Sequence, residues 1–198
     1  MPKVVDAEER RRRLVEAVWR LTVRTGLEGV TLRKVAAEAG VSMGQVQHYY
    51  ASREELVADA VARAVAALNA RIEASIRAAG GEQDAETILR TCLTAVLGRD
   101  EEGMRLLRLS VAVLGQAVSD PAMAKVLAPA DGELVAFTAA LIAAARADRG
   151  VPPLEDGGVA ADICWTLATG LGVEVALGQR SAEAAERVLE HHIAAVLR

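Results

Sequence analysis

Aromatic side chains are nearly missing from this chain: one Phe, two Tyr and two Trp make up 3% of 198 residues, although 52% are hydrophobic. The core must therefore be built from Ala, Val and Leu, which suits closely packed helices. Alternating β-branched runs, the mark of half-buried strands, are also lacking, whereas the good helix formers Ala, Leu, Arg and Glu abound. The chain reads as all-α. Cysteine is scarce too: Cys92 and Cys164 are far apart, each in an apolar helical run, with no C-x-x-C. That excludes a disulfide framework and predicts two buried free thiols.

Other absences narrow the function. There is no nucleophile elbow, no phosphate-binding Gly loop, no H-x-x-x-H and no cluster of ligand-type residues. His191 and His192 are adjacent, so on a helix they point about 100° apart and cannot share one metal. An enzyme, a metal site and a cofactor are not expected. The opening MPKVVDAEER has no apolar signal core, and no stretch reaches the roughly 20 uncharged apolar residues of a membrane helix. The expected compartment is the cytoplasm, without a membrane partner. No internal repeat, low-complexity segment or Pro-rich or Ser-rich linker is found.

What is present is a twenty-residue stretch, Thr31 to Tyr50, TLRKVAAEAGVSMGQVQHYY. Leu32, Val35 and Ala36 fall on one helix face behind Thr31 as N-cap. Gly40 can take the left-handed conformation that ends a helix, and Val41 follows as an apolar plug. Ser42 and Gln45 have capping-box spacing and open a second helix, with Val46 and Tyr50 facing inward. Two short helices joined by a Gly turn form a helix-turn-helix, whose second helix enters the DNA major groove. Ser42 lies at its entrance, and its outward residues are Met43, Gly44, Gln45, Gln47 and His48. Gln reads adenine through its amide, Met meets a thymine methyl, and Gly44 permits close approach to a phosphate. Thr31, Arg33, Lys34 and Tyr49 are placed to hold phosphates.

Net charge is −4, yet residues 1–60 hold ten Lys or Arg against nine Asp or Glu, so the acidity lies in the remainder. Arg10 to Arg13, Arg20, Arg24, Arg33, Lys34 and Arg53 form a local basic set of the kind nucleic-acid binding needs. The plainer reading of the Arg run is a solvated helix face paired with Glu8, Glu9 and Glu16.

A helix from Asp6 to Arg24 precedes the motif, with Leu14, Ala17, Val18 and Leu21 on one face and Asp6, Glu8 and Glu9 at its positive end. It leaves through Gly26 and Gly29. Ser52 and Glu55 open a fourth helix that runs to about Ala79, on the order of 40 Å long. Residues 8–68 resemble the DNA-binding domain of the TetR family of bacterial transcriptional regulators. The resemblance rests on Thr31, Val35, Ala36, Ala39, Gly40, Val41, Ser42, Gly44, His48, Tyr49, Tyr50, Glu55 and Leu56. It departs at Met43, where a basic or polar residue is frequent, and at Gln47 and Arg53, where Tyr and Lys are usual. Arg53 keeps the charge and is expected to meet a DNA phosphate near the start of its helix.

Beyond Gly80 and Gly81, capping and periodicity predict helices at Asp84–Leu97, Asp100–Leu114, 119–148 with a bend near Pro129, Val159–Leu177 and Ala182–Leu197, about nine helices in all. Gly170 and Gly172 sit inside a helix at a cost of about 1 kcal/mol each, a cost usually accepted for close backbone approach. The expected division is a DNA-binding helix-turn-helix domain at 1–52 and a larger ligand-binding and dimerisation bundle at 53–198. The last two helices carry enough apolar surface to meet a second copy, which the resemblance also implies. Candidate effector-contacting residues among the middle helices are Arg105, Arg108, Gln116, Phe137, Trp165, Thr169 and Glu174, with Glu174 alternatively paired to an Arg. The segment from Arg105 to Pro121 resembles the C-terminal domain of betaine-inducible-type repressors. The expected function is a homodimeric repressor that binds double-stranded DNA at a palindromic operator and is released by an unidentified small molecule. The alternative is a helical sensor or interaction module without DNA binding.

Overall fold

The computed structural model describes residues 2–78, 84–118, 121 and 133–198, without the side chains of residues 2–6, 75, 76, 78 and 116. Among the described residues there is no strand, and nine α-helices occur: α1 (Pro2–Thr25), α2 (Leu32–Ala39), α3 (Met43–Tyr49), α4 (Arg53–Ala78), α5 (Ala85–Thr94), α6 (Glu101–Ala117), α7 (Glu133–Asp148), α8 (Gly157–Ala176) and α9 (Ala182–Val196). Short 3₁₀ turns follow α1 and α5, at Leu27–Gly29 and Ala95–Leu97. The all-α reading is met. Helix α1 begins at Pro2 instead of Asp6, so its first turn holds no acidic residue. Glu8 and Glu9 therefore serve ion pairs and not the helix end. The expected stop at Gly80 and Gly81, the start at Ser119 and Asp120 and the bend at Pro129 lie outside the described residues.

Compactness divides the chain into two units, residues 1–67 with 108–127 and residues 68–107 with 128–198. This differs from a boundary at residue 52. The reason is packing: Leu56, Val57, Ala60 and Val61 of α4 and Leu109 and Val113 of α6 are buried in one cluster with Leu14, Val15, Val18 and Leu21 of α1, Val35 of α2 and Val46 of α3. Directional bonds add to this apolar core, since the Trp19 indole N–H donates to the Ala60 carbonyl at 2.9 Å.

The second unit has its own core, in which Leu89, Leu93 and Leu97 meet Ile142, Ala145, Cys164, Ala168, Leu189, Ile193 and Leu197. Asp84 caps α5 by accepting from the Thr87 N–H at 2.7 Å, and Asp156 caps α8 by accepting from Val159 at 2.9 Å. In the same unit Arg146, 8% exposed, donates to the carbonyls of Pro152 and Val196, and Arg149 donates to Leu197. A guanidinium there satisfies carbonyls that the end of α9 leaves without helical partners.

Helix α8 is the most apolar, with a mean hydropathy of 1.4 over its best window, and by length and composition alone it could cross a membrane. It also carries Asp162 and Glu174, and Ala161, Cys164, Ala168 and Leu171 are buried in the second core. Its two interior glycines differ. A Cβ on Gly172 would lie 2.9 Å from the Val96 carbonyl oxygen, whereas one on Gly170 would meet nothing within 4 Å. Close backbone approach thus explains Gly172 within the chain and leaves Gly170 without an internal reason. Cys92 and Cys164 are buried and free, and burial raises both thiols above their ordinary value.

Gly172→Ala must push the Val96 carbonyl aside, an overpacking change of about 1–3 kcal/mol. Thermal unfolding followed by circular dichroism is expected to show a lower Tm for Gly172→Ala and none of that loss for Gly170→Ala. Equal melting of both variants and the parent would show that the α8–Val96 contact is loose.

Candidate nucleic-acid interface

The helix-turn-helix is built by three local devices. The Thr31 hydroxyl accepts from the Lys34 N–H at 3.2 Å and starts α2. Gly40 has φ +67°, the left-handed region, and this lets Val41 N–H reach the Ala36 carbonyl at 2.9 Å. Ser42 and Gln45 then form a reciprocal capping box, Gln45 N–H to the Ser42 hydroxyl at 3.3 Å and Ser42 N–H to Gln45 Oε1 at 3.0 Å. A second Ser/Glu pair opens α4 with one change. The Ser52 hydroxyl accepts from Glu55 N–H at 3.1 Å, but the Glu55 carboxylate takes the Ala51 N–H, at 2.7 Å.

These devices turn α3 so that Val46 is fully buried and Tyr50, its C-cap, is 3% exposed. Met43, Gly44, Gln45, Gln47 and His48 are exposed in the same helix, together with Ser42 before it and Thr31, Arg33 and Lys34 on α2. Tyr49 is half-buried, with the His48 ring at its edge and the Arg11 guanidinium 5.9 Å above its face. Sequence reasoning did not single out Arg11 as a neighbour of the reading helix. Its partner lies 38 positions on, beyond any local spacing rule.

Two of the candidate DNA contacts already have partners inside the chain. Gln45 Oε1 is occupied by the Ser42 N–H and lies 3.3 Å from the Ser42 hydroxyl, so the amide that pairs bidentately with adenine is not free on Gln45. Only its NH₂ remains as a donor. Gln47 is exposed, and its whole amide is available. Arg53 does not stand free at the start of α4 either. Its Nε donates to the Val30 carbonyl and an Nη to the Leu27 carbonyl, both at 2.8 Å, fixing the turn that delivers Thr31. The plain reading of Arg53 as a surface partner of Glu is met only at 3.6 Å, from Glu54.

The basic set is partly neutralised as well. Arg12 pairs with Glu9 and Glu16, Arg13 with Glu9, and Arg20 and Arg24 both with Glu38. Arg20, then Arg24, holds the Glu38 carboxyl below its usual value, and Arg12 does the same for Glu9. Arg33 and Lys34 carry no ion pair among the described residues, so they are the cations beside α3 most open to phosphate.

Two family profiles match the chain. Residues 14–60 match "Bacterial regulatory proteins, tetR family", and residues 85–198 match "BetI-type transcriptional repressor, C-terminal". The chain belongs to the TetR family. Its helix-turn-helix is the DNA-binding part of that family of transcriptional regulators, whose members are not typically enzymes. HTH-type transcriptional regulator PksA of Bacillus subtilis is 44% identical over 61 residues, 31% of this chain and 30% of PksA. BetI of Burkholderia cenocepacia is 42% identical over 57 residues, 29% of each chain. These matches thus span less than a third of the relatives' length. Among solved structures, a TetR-family regulator from Rhodococcus superposes with a TM-score of 0.81 at 23% identity, over 96% of this chain and all of that one. A regulator from Saccharomonospora viridis, solved in complex with choline, gives 0.80 at 23% identity over 94% and 96% of the two chains. At that identity the likeness speaks for the TetR fold.

The candidate effector residues of this TetR-family chain belong to both compact units, Arg108 to the first and Arg105, Phe137, Trp165, Thr169 and Glu174 to the second. Trp165 Nε1 donates to Thr138 Oγ1 at 2.8 Å, next to Phe137, which is 49% exposed, and Thr169 is exposed one turn farther along α8. Arg105 pairs with Glu102 at 2.6 Å, and Arg108 is exposed. Glu174 is engaged by Arg180, the structural alternative for this carboxylate, and is therefore not an unpaired ligand group. The Gln116 side chain lies outside the described residues. Among the described residues no group of three His, Cys, Asp or Glu could hold a metal.

Three outcomes follow from this geometry. A Cβ on Gly44 would meet nothing within 4 Å, so Gly44→Ala is expected to fold with equal or higher Tm, by up to about 1 kcal/mol, yet to bind DNA more weakly in a gel shift. Gln45→Glu keeps the acceptor that caps Ser42 and deletes the NH₂ donor; unchanged melting with weaker DNA binding is expected, and unchanged binding would remove Gln45 from the interface. Glu9 and Glu38 have folded pKa values below 4.5, so their stabilisation is complete above that pH and is lost as pH falls through the depressed values. Melts at pH 7 and at acid pH should therefore differ less for Glu38→Gln than for the parent.

Proposed function

We propose that this TetR-family protein is a repressor that binds a palindromic operator as a homodimer and is released by a small-molecule effector. The observation that carries the reading is α3 itself. It is capped at entry, anchored by Val46 and Tyr50, and presents Met43, Gly44, Gln47 and His48 to solvent beside Arg33 and Lys34, which have no ion pair among the described residues. Gln47 is the residue for base readout. Lys34, with Thr31 and Tyr49, supplies backbone contacts that fix register.

Support for the homodimer comes from α8 and α9. Val159, Ile163, Leu177 and Val188 are between 38% and 60% exposed, and Gly170 faces open space. An interior glycine without a neighbour is what a second helix crossing closely would require. Two-fold symmetry then sets half-sites about 34 Å apart or a multiple of that. The effector site is placed on α7 and α8 around Phe137, Trp165 and Thr169. The profile of BetI-type repressors and the choline-bound neighbour make choline the first compound to try, since aromatic faces suit a quaternary cation. Release requires the effector to bind the two dimer geometries with different affinity.

Gel shift on the DNA flanking its own coding sequence tests the reading. A specific, salt-sensitive band is expected. Lys34→Ala should weaken all sequences and lower the salt slope by about one, whereas Gln47→Ala should relax preference at one base pair. Light scattering should show a dimer for the parent and a monomer for Ile163→Asp. A monomeric parent, or no specific band, would leave a helical sensor without DNA binding as the better reading. A thermal-shift panel that includes choline identifies the effector.

A further inference from the structure

Tyr50 is an odd choice for a core position. Its ring is buried with Val46, Leu56 and Val57 in the first unit, where Phe would fill the same space without a hydroxyl to satisfy. That hydroxyl donates to Asp59 Oδ2 of α4 at 2.5 Å. Asp59 is gripped in turn by Arg63 Nε, 3.0 and 3.1 Å from its two oxygens, and Arg63 Nη1 reaches Glu8 of α1 at 2.5 Å. Four side chains thus form one continuous relay from α1 through α4 to the residue that caps the end of the reading helix. Each link involves at least one charged group, so the links are strong and directional.

Burial, then the Asp59 bond, drives the Tyr50 hydroxyl well above its usual value, and the Glu8 bond does the same for Arg63. The hydroxyl is therefore always a donor and the guanidinium always charged. An apolar contact tolerates rotation of one helix on another, whereas this chain of bonds is satisfied in one orientation.

We propose that the Glu8–Arg63–Asp59–Tyr50 relay sets the angle at which α3 meets the DNA bases, so that Asp59 and Arg63 are positioning residues for sequence-specific recognition, acting through Tyr50. The inference rests on α3 being the DNA-reading helix. It predicts that discrimination between sequences, and not general DNA affinity, depends on the relay. Phosphate contacts come from flexible cations that adapt to a small rotation, but base-edge contacts do not.

The test uses the full-length protein and a duplex that it selects from a randomised pool, with a scrambled duplex as control, titrated by fluorescence anisotropy across a salt series. Tyr50→Phe keeps the ring and deletes the donor, and Asp59→Asn deletes the charge. Each is expected to lose roughly tenfold in affinity for the selected duplex, with the scrambled duplex and the salt slope unchanged at a temperature where circular dichroism shows a folded chain. The double variant should be no weaker than the weaker single, because both substitutions interrupt the same relay. If Asp59→Asn does not fold, Tyr50→Phe carries the test. Unchanged affinity for the selected duplex, or equal loss on both duplexes, overturns the relay. Failure of the parent to select any duplex overturns the DNA-reading assignment instead.

Discussion

The reading surface depends on one backbone constraint, the left-handed Gly40 between two capped helices. With φ at +67°, that residue turns the chain within a single peptide, so Ala36 and Val41 stay in contact while α3 leaves in a new direction. A side chain there would oppose the conformation by roughly 1–2 kcal/mol. Thr31 and Ser42 then close the open ends on either side, and Val46 and Tyr50 fix which face looks inward. The exposed set follows from those few residues with no further instruction. Arg53 extends the same scheme by fastening the preceding turn through two carbonyls.

Much of this was legible in the chain. Thr31, Gly40, Ser42 and Gln45 have meaning at the spacing of one or two helical turns, and the apolar stripes of α1 and α9 obey a period a reader can count. Buried Leu14, Ala17, Val18 and Leu21, and Ala185, Leu189, Ile193 and Leu197, are all on those stripes. What escaped notice acts across long separations. Arg53 bonds 23 and 26 residues back, Arg63 55 residues back, and Tyr49 lies under Arg11. Gln45 escaped for the opposite reason. Its capping role and its readout role were each visible, but one amide oxygen cannot serve both at once. The effector residues were the least legible, because an apolar helix interrupted by a Trp or Thr looks the same whether it lines a pocket or packs a core.

Charge illustrates how local the physics is. A chain of net −4 presents Arg33 and Lys34 beside α3 without an ion pair among the described residues, while Arg12, Arg13, Arg20 and Arg24 are held by Glu9, Glu16 and Glu38. Counting basic residues overstates what DNA would feel. The glycines of α3 and α8 make a related point: Gly172 is explained by Val96 inside the chain, whereas Gly44 and Gly170 face emptiness and carry a helix penalty with no internal return. Such positions point to surfaces whose complement is another molecule.

The two cysteines are both sealed and both shifted toward the protonated form. A thiol in that state reacts slowly with peroxide, maleimide or a neighbouring disulfide. Both native thiols are therefore slow to label, and a single new cysteine on the exposed face of α3 would be where a fluorophore attaches first.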